Sequence, residues 1–319
     1  MNLYPGLGKH WWEHVTPADI VRIAQATEKL GYDYVTVSEH IVMDRMSLPE
    51  LGPRWVHSNA ATGFLLGATE RIRIVPHLVV PYHNPIELAK ALSTLDYLSG
   101  GRVIPLCMVG YNQSEFKLMN VPYADRGLIM DEYLDAMIEL WENDNPSFHG
   151  IHVNFDDIVF DPKPVQRPLP LWFGGRTKAA LRRIARVGDG WISYATPRSQ
   201  FRELVDYIRG QPAFQERPRP LELGIEMFEG KREPVSHKVI EQAQIVFEDD
   251  AILEQIQIIA DLGATLTDAS DLLGIGKYQN DLPGAPPPSR SASHHLERLH
   301  WFAEAIMPQA RRISRSTVD

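Results

Sequence analysis

The chain has 319 residues, 44% apolar and 23% charged, with a formal net charge of −9. The charges are interspersed with no basic block, which excludes a nucleic-acid footprint, and no run of about 18 apolar residues predicts a membrane span. The single cysteine, Cys107, excludes a disulfide framework, and no basic n-region precedes an apolar h-region, so a cytoplasmic protein of one domain, 1–319, is expected.

Thr16-Pro17-Ala18-Asp19 reads as a capping box with Asp in place of Glu. Ile20, Ile23, Ala24 and Thr27 continue at helical spacing until Gly31 stops the helix. Residues 34–38 read as a strand ending at Glu39-His40, residues 56–67 as a helix, and residues 72–80 as a strand interrupted by Pro76. Pro85 then opens a helix in which Ile86, Ala89, Leu92, Leu95 and Leu98 share a face, and Gly100-Gly101 close it. Residues 103–107 form a short apolar run of the kind buried on both faces in a parallel sheet, and it leads to Gly110-Tyr111-Asn112.

A helix is expected from Arg126 to Trp141. Residues 144–170 carry five prolines and break the rhythm as an insertion, with a hairpin around the alternating stretch 151–160. Strands at 171–173, 191–193, 221–227 and near Ala264 then alternate with helices at 177–187, 198–209 and 249–262. Residues 283–293 are rich in Pro and Ser and read as a mobile loop. A last helix, 292–309, places Leu296, Leu299, His300 and Ala303 on one face. With a short strand at residues 1–4 there are about eight strand–helix units, which fits a (β/α)8 TIM barrel with insertions. A doubly wound open sheet is the competitor, but no G-x-G-x-x-G turn occurs.

In a parallel barrel the residues just past the strand C-termini share one rim. Here these are Glu39 and His40, His77 with Leu78, Tyr111 and Asn112, Gly174-Gly175-Arg176, Ser193 and Glu226. Gly174-Gly175 before a helix is a phosphate-type signal, because bare backbone and helix N–H groups favour an anion to which Arg176 adds a charged fork. A plain tight turn is the alternative. His40 has the pKa range of a general acid or base, and a hydrogen-bonded rim histidine is the competing reading. Cys107, within a core strand, reads as a small apolar residue. No H-E-x-x-H, cysteine pair or G-x-S-x-G is present, so neither a metal site nor a serine hydrolase is expected. Trp11, Trp12 and Trp55 lie in loop-like segments, where they line an apolar pocket or pack loops onto the barrel.

Several stretches together carry a resemblance. They are ATEKLGYDYVTVSEHI (26–41), TERIRIVPHLVVPYHNPIELAKALSTLDYLSGGR (69–102), GYNQSEF (110–116), RGLIMDEYLDAMIELW (126–141) and PLPLWFGGRTKAALRRIARVGDGW (168–191). The chain resembles the bacterial luciferase-like monooxygenase superfamily, and within it the deazaflavin-dependent (coenzyme F-420) oxidoreductases. The resemblance implies a (β/α)8 barrel binding deazaflavin, or alternatively FMN, at its C-terminal rim. The cofactor phosphate would meet Gly174, Gly175 and Arg176, while Glu39, His77, Leu78, Met108 and Asn112 would border the ring. His40 would move a proton, and Tyr111 would hydrogen-bond where some relatives place an acidic donor, since Tyr is a weaker acid. A non-prolyl cis peptide is implied at His77-Leu78. A small organic substrate is implied too, with a homodimer and, in the FMN reading, a separate reductase partner. Two departures stand out: residues 106–110 read Leu-Cys-Met-Val-Gly where the family has spaced glycines, and residues 75–77 read Val-Pro-His where small residues are usual. The lost glycines motivate a further alternative, a cofactor-free binding paralogue.

Overall fold

The computed structural model describes residues 15–48, 52–194, 196–216, 220–227, 230–232, 239–242, 248–268 and 291–316. In chain order the elements are α1 (Pro17–Lys29), β1 (Tyr34–Val37), α2 (Ser58–Ala68), β2 (Arg73–Val79), α3 (Pro85–Ser99), β3 (Leu106–Met108), α4 (Gln113–Leu118) and α5 (Arg126–Glu142). They continue with β4 (Phe148–His149), β5 (Asn154–Phe155), β6 (Trp172–Gly174), α6 (Lys178–Val187), β7 (Gly190–Ser193), α7 (Arg198–Arg209), α8 (Pro212–Gln215) and β8 (Glu222–Glu226). The last are β9 (Gly230–Arg232), β10 (Val239–Gln242), α9 (Asp249–Asp261), β11 (Leu266–Asp268), α10 (Ala292–Trp301), a π-helical turn at Phe302–Ile306, and α11 (Met307–Ser316).

Seven strands form one parallel sheet in the order β1-β2-β3-β6-β7-β8-β11. The sheet is curled. Tyr34 of β1 and Trp172 of β6 meet edge to face with ring centroids 5.5 Å apart, although β2 and β3 lie between their strands. In a flat sheet three inter-strand steps of about 4.8 Å would hold the two rings apart. The concave face is filled by Val75, Ile104, Leu106 and Trp172, with Ile192, Tyr194 and Leu266 packed against them. The alternate residues, such as Ile74, Leu78, Cys107, Phe173 and Trp191, face the helical layer. The strand expected at residues 1–4, which would close the curl into a barrel, lies outside the described residues, as do Trp11, Trp12 and residues 283–290.

Pro76 does not break β2. Pro76 keeps its register with β1, opposite Val37, and on the β3 side it falls at the junction between the Ile74–Val103 bridge and the His77–Leu106 pair. The missing N–H is tolerated at that junction. Among the described residues the cis peptide bonds are Asp161-Pro162 and Arg167-Pro168, so the non-prolyl cis bond expected at His77-Leu78 is not found.

The local signals of α1 and α3 are realised. Thr16 and Asp19 form a reciprocal capping box, and Asn84 caps α3 by accepting from Ile86 N and Glu87 N. Gly100, in the left-handed region at φ 68°, closes α3. The buried stripe of α3 is rotated from the one expected, however. Leu88, Ala89, Leu92, Ser93 and Asp96 face inward, while Leu98 is 76% exposed. The reason is polar: Asp96 receives Gln166 N at 3.0 Å and Gln166 Nε2 at 2.6 Å. Gln166 also donates to Val103 O, which ties the end of the 144–170 insertion to the α3–β3 junction. Within that insertion β4 and β5 form the expected hairpin. The buried face of α10 and the following turn is likewise not the one expected. It carries Ala292, His295, Leu299, Phe302 and Ile306, and His300 is exposed. Cys107 is buried in the core, and burial pushes its thiol pKa up to about 12, as a structural residue requires.

Arg102, after the Gly-Gly turn, holds the end of the sheet opposite the rim. Its guanidinium donates to Leu66 O, Thr69 O, Ile72 O, Thr69 Oγ1 and Ser99 O at 2.8–3.2 Å. Replacing it with Met keeps most of the stem but orphans those carbonyls. We expect Arg102→Met to lower the unfolding free energy by about 3 kcal/mol, read as a lower urea midpoint at unchanged slope. An unchanged midpoint would refute this bracing role.

Candidate functional site

Inward-facing parity gathers His77, Met108, Gly174 and Tyr194 on the concave face, in a diagonal row across β2, β3, β6 and the end of β7, since the register sets His77 opposite Leu106 and Met108 opposite Val79. His77 is buried with its ring 6.2 Å from that of Tyr194. A side chain built at Gly174 would begin 3.5 Å from Met108 Cγ and 4.0 Å from Tyr194 Cδ2, so Met108 lies directly beside the Gly-Gly turn. Leu78 is fully buried in the core between sheet and helices, which leaves only its backbone to face the rim.

Past β1 the chain places two acidic–histidine pairs side by side. Glu39 is buried and accepts from Val79 N at 2.6 Å and from His83 Nε2 at 3.1 Å. Burial opposes charge on His83, but the hydrogen bond and charge of Glu39, with Glu87 behind, outweigh it and raise the His83 pKa. Glu39 therefore ties β1 to the end of β2, a bracing role that the sequence alone did not suggest.

His40 faces the other way. Its Nδ1 lies 2.9 Å from Glu115 Oε2, within hydrogen-bond reach, with His40 10% and Glu115 1% exposed. Glu115 sits in the first turn of α4 and was missed as a site residue by sequence reasoning, although it lies in the quoted stretch 110–116. Its Oε1 accepts from Ile41 N at 2.6 Å and Val42 N at 3.2 Å. Burial, reinforced by the charge of Glu115, raises the phenol pKa of the neighbouring Tyr82. His40 Nε2 has no hydrogen-bond partner among the described residues. The His40 ring packs edge-on to Trp55, with centroids 4.5 Å apart, and to Tyr111 at 6.0 Å.

The loop after His40 is pinned to α4. Ser114 Oγ donates to Asp44, which also accepts from Ser47 Oγ at 2.9 Å and from Met46 N and Ser47 N. The Ser114 and Ser47 hydrogen bonds bring the Asp44 pKa down to about 2. Asn112 caps α4 by accepting from Ser114 N and Glu115 N, while its Nδ2 is buried with no partner among the described residues. Trp55 Nε1 is orphaned in the same way. Buried donors without partners are rare in native proteins, and two of them flank Tyr111 and His40.

On the far side of the row Gly175 adopts φ 94°, where a Cβ would also come 3.3 Å from Ala180 Cβ. Its carbonyl accepts from Trp191 Nε1 at 2.8 Å, fixing the turn. Thr177 caps α6 by accepting from Ala180 N at 3.2 Å, and Arg176, half-buried, stands just before that cap. The first-turn N–H groups and dipole of α6 thus open at a glycine turn, a geometry suited to a phosphate. The bare Gly174, the positive-φ Gly175 and the orphaned Asn112 and Trp55 donors fit a flavin-type cofactor with its phosphate at α6. Among the described residues no group of three or more His, Cys, Asp or Glu side chains is arranged to hold a metal ion. None of the described helices is long and apolar enough to cross a membrane. A concavity of about 730 Å³ lined by Arg22, Leu296, His300 and Trp301 belongs to the outer helical layer, not to this rim.

Comparisons with known proteins place the chain among relatives. The uncharacterised protein Rv0953c of Mycobacterium tuberculosis is 36% identical over 201 residues, covering 58% of this chain and 68% of its own length. An FMNH2-dependent dimethylsulfone monooxygenase of Pseudomonas putida is 29% identical over 196 residues, 60% of this chain and 53% of that enzyme. The match thus spans about half the length of that enzyme. In fold, the chain matches the monooxygenase RslO1 of Streptomyces bottropensis with a TM-score of 0.73 at 18% identity, over 97% of this chain and 98% of that one. It also matches an F420-dependent secondary alcohol dehydrogenase in complex with an F420–acetone adduct, with a TM-score of 0.59 at 19% identity, over 95% and 87% of the two chains. The luciferase-like monooxygenase family model matches residues 5–229, about two thirds of the sequence, and the chain belongs to that family.

Proposed function

We propose that this chain is an oxidoreductase that binds a deazaflavin, coenzyme F-420, at the C-terminal rim of its curled parallel sheet and acts on a small organic substrate. The observation that carries the reading is His40, held by a buried carboxylate with Nε2 unpartnered among the described residues, on the same rim as the Gly174-Gly175-Arg176 turn and the start of α6. When bound, the cofactor would supply hydride transfer at its ring carbon, or oxygen activation if it is FMN. The protein's own part is binding, orientation and one proton.

In this reading Gly174, Gly175 and the first turn of α6 hold the phosphate, with Arg176 adding charge. Met108, His77 and Tyr194 wall the ring side, and the backbone of Leu78 with Glu39 shapes the floor. Asn112 Nδ2 and Trp55 Nε1 are donors in search of ring or substrate acceptors, Tyr111 hydrogen-bonds beside them, and His40 Nε2 moves the proton. The protein works as a cytoplasmic homodimer. The second reading, an FMN-dependent monooxygenase with a separate reductase, is favoured by the likeness to the Pseudomonas putida enzyme. Met108, packed against the phosphate turn, motivates the third, a binding paralogue without cofactor.

The test is titration of the purified full chain with coenzyme F-420, with FMN and, under anaerobic conditions, with reduced FMN, followed by absorbance and fluorescence. We expect micromolar binding of coenzyme F-420. Selective binding of FMN instead would move the assignment to the monooxygenase reading, and binding of neither would overturn both enzyme readings. Turnover is then sought with small alcohols, ketones and sulfones.

A further inference from the structure

We propose that Glu115 is the positioning residue of this site: it holds His40 in the Nδ1–H tautomer, so that Nε2 is the atom that takes up and returns the proton. The inference rests on the proposed role of His40 and adds to it a residue, a tautomer and a mechanism of control.

The geometry leaves the carboxylate no other behaviour. Glu115 is 1% exposed, and three groups converge on its carboxylate: Ile41 N and Val42 N on Oε1, and His40 Nδ1 on Oε2. An ionised carboxylate offers only acceptors. Its hydrogen bond to Nδ1 therefore requires a proton on Nδ1. In the neutral imidazole, Nε2 then carries a lone pair and no proton, and it is the ring nitrogen with no partner among the described residues. The step it supports is a proton transfer alone. A substrate O–H bond breaks with its electrons left on oxygen, an N–H bond forms at Nε2, and the imidazolium charge is compensated by Glu115 across 2.9 Å. The ring cannot rotate to offer Nδ1 without abandoning a buried carboxylate, a loss that low polarity makes costly. Trp55 and Tyr111, packed edge-on to His40, hold the ring plane from two sides.

The arrangement makes one substitution diagnostic. In Glu115→Gln the amide oxygen has to take the place of Oε1, because Ile41 N and Val42 N are both donors facing that position. The amide NH2 is thereby turned towards His40 Nδ1, which must become an acceptor, and the proton moves to Nε2. The variant keeps size and packing, yet its His40 presents the wrong tautomer and has lost the charge that stabilises the imidazolium.

The test has two readouts. In the cofactor-free protein, long-range ¹H–¹⁵N correlations of the His40 ring are expected to show a protonated Nδ1 and a bare Nε2 at alkaline pH. In Glu115→Gln the pattern should invert, with thermal unfolding close to that of the parent. In the loaded enzyme, turnover should fall by about 10²–10⁴-fold with cofactor affinity unchanged, and Glu115→Gln combined with His40→Asn should lose no more than His40→Asn alone. An Nε2–H tautomer in the parent protein, or a tautomer indifferent to Glu115→Gln, would overturn the proposal. Additive losses in the double variant would overturn it as well, assigning Glu115 a role independent of His40. Failure of the functional reading shows elsewhere, as absence of any cofactor binding, and leaves the spectroscopic arm intact.

Discussion

Replacing His40 with Asn is expected to leave cofactor affinity within about threefold of the parent and to lower turnover by about 10²–10⁴-fold, the usual range for losing one positioned acid–base group. Asn is the informative choice. Its amide can still donate to Glu115, so the buried carboxylate is not left bare and the fold is spared the cost of an unpaired charge. What disappears is the titratable nitrogen facing the rim. The measurement is single-turnover absorbance change of the bound cofactor with whichever member of the alcohol, ketone and sulfone panel is turned over. The slow variant should also lose the limb of the pH–rate profile that reports the imidazole. Turnover at the parent rate would remove His40 from the chemistry and leave the His40–Glu115 pair as a brace between the β1 and β3 ends of the sheet.

Much of the scaffold was legible because its signals are local. The Thr16–Asp19 capping box, the Asn84-Pro85 helix start, the Gly100 stop and the hairpin in the insertion all depend on neighbours within a few residues, and all are found. Two local readings were misjudged for reasons that are not local. The inward face of α3 is set by Asp96, whose partner Gln166 lies 70 residues away, and Pro76 is tolerated because it falls in the gap of the β2–β3 ladder between Ile74–Val103 and His77–Leu106. The site divides along the same line. His40, Tyr111 and the Gly-Gly turn could be marked from their position after strands, whereas Glu115 reads in sequence as the fourth residue of a capping pattern begun by Asn112. Only the fold carries that carboxylate to a histidine 75 residues earlier. Leu78, in contrast, could have been resolved: if His77 faces inward, strand parity sends Leu78 outward.

The Gly174-Gly175 turn offers the second large effect, because its two glycines fail in different ways. At Gly174 the backbone has no left-handed requirement, and a Cβ would lie in ordinary contact with Met108 and Tyr194, at 3.5 Å and 4.0 Å. Gly174→Ala should therefore fold and bind nearly as the parent does. Gly174→Trp has nowhere to put its indole except the space beside Met108 and Tyr194, where the phosphate end of the cofactor is proposed to lie, and should weaken binding by at least about 100-fold, equivalent to about 2.7 kcal/mol. Gly175→Ala is the contrasting control. Its φ of 94° and the 3.3 Å approach to Ala180 strain any side chain, so it should lower the unfolding temperature as well as affinity. Titration and thermal unfolding of the three variants separate steric exclusion of a ligand from damage to the turn. If Gly174→Trp binds coenzyme F-420 and FMN as tightly as Gly174→Ala does, the phosphate does not lie at this turn, and the start of α6 is a structural cap. If Gly174→Trp alone loses affinity at an unchanged unfolding temperature, the phosphate end is fixed beside Met108. The residue that replaced a family glycine would then be a wall of the cofactor pocket and not an obstruction in it.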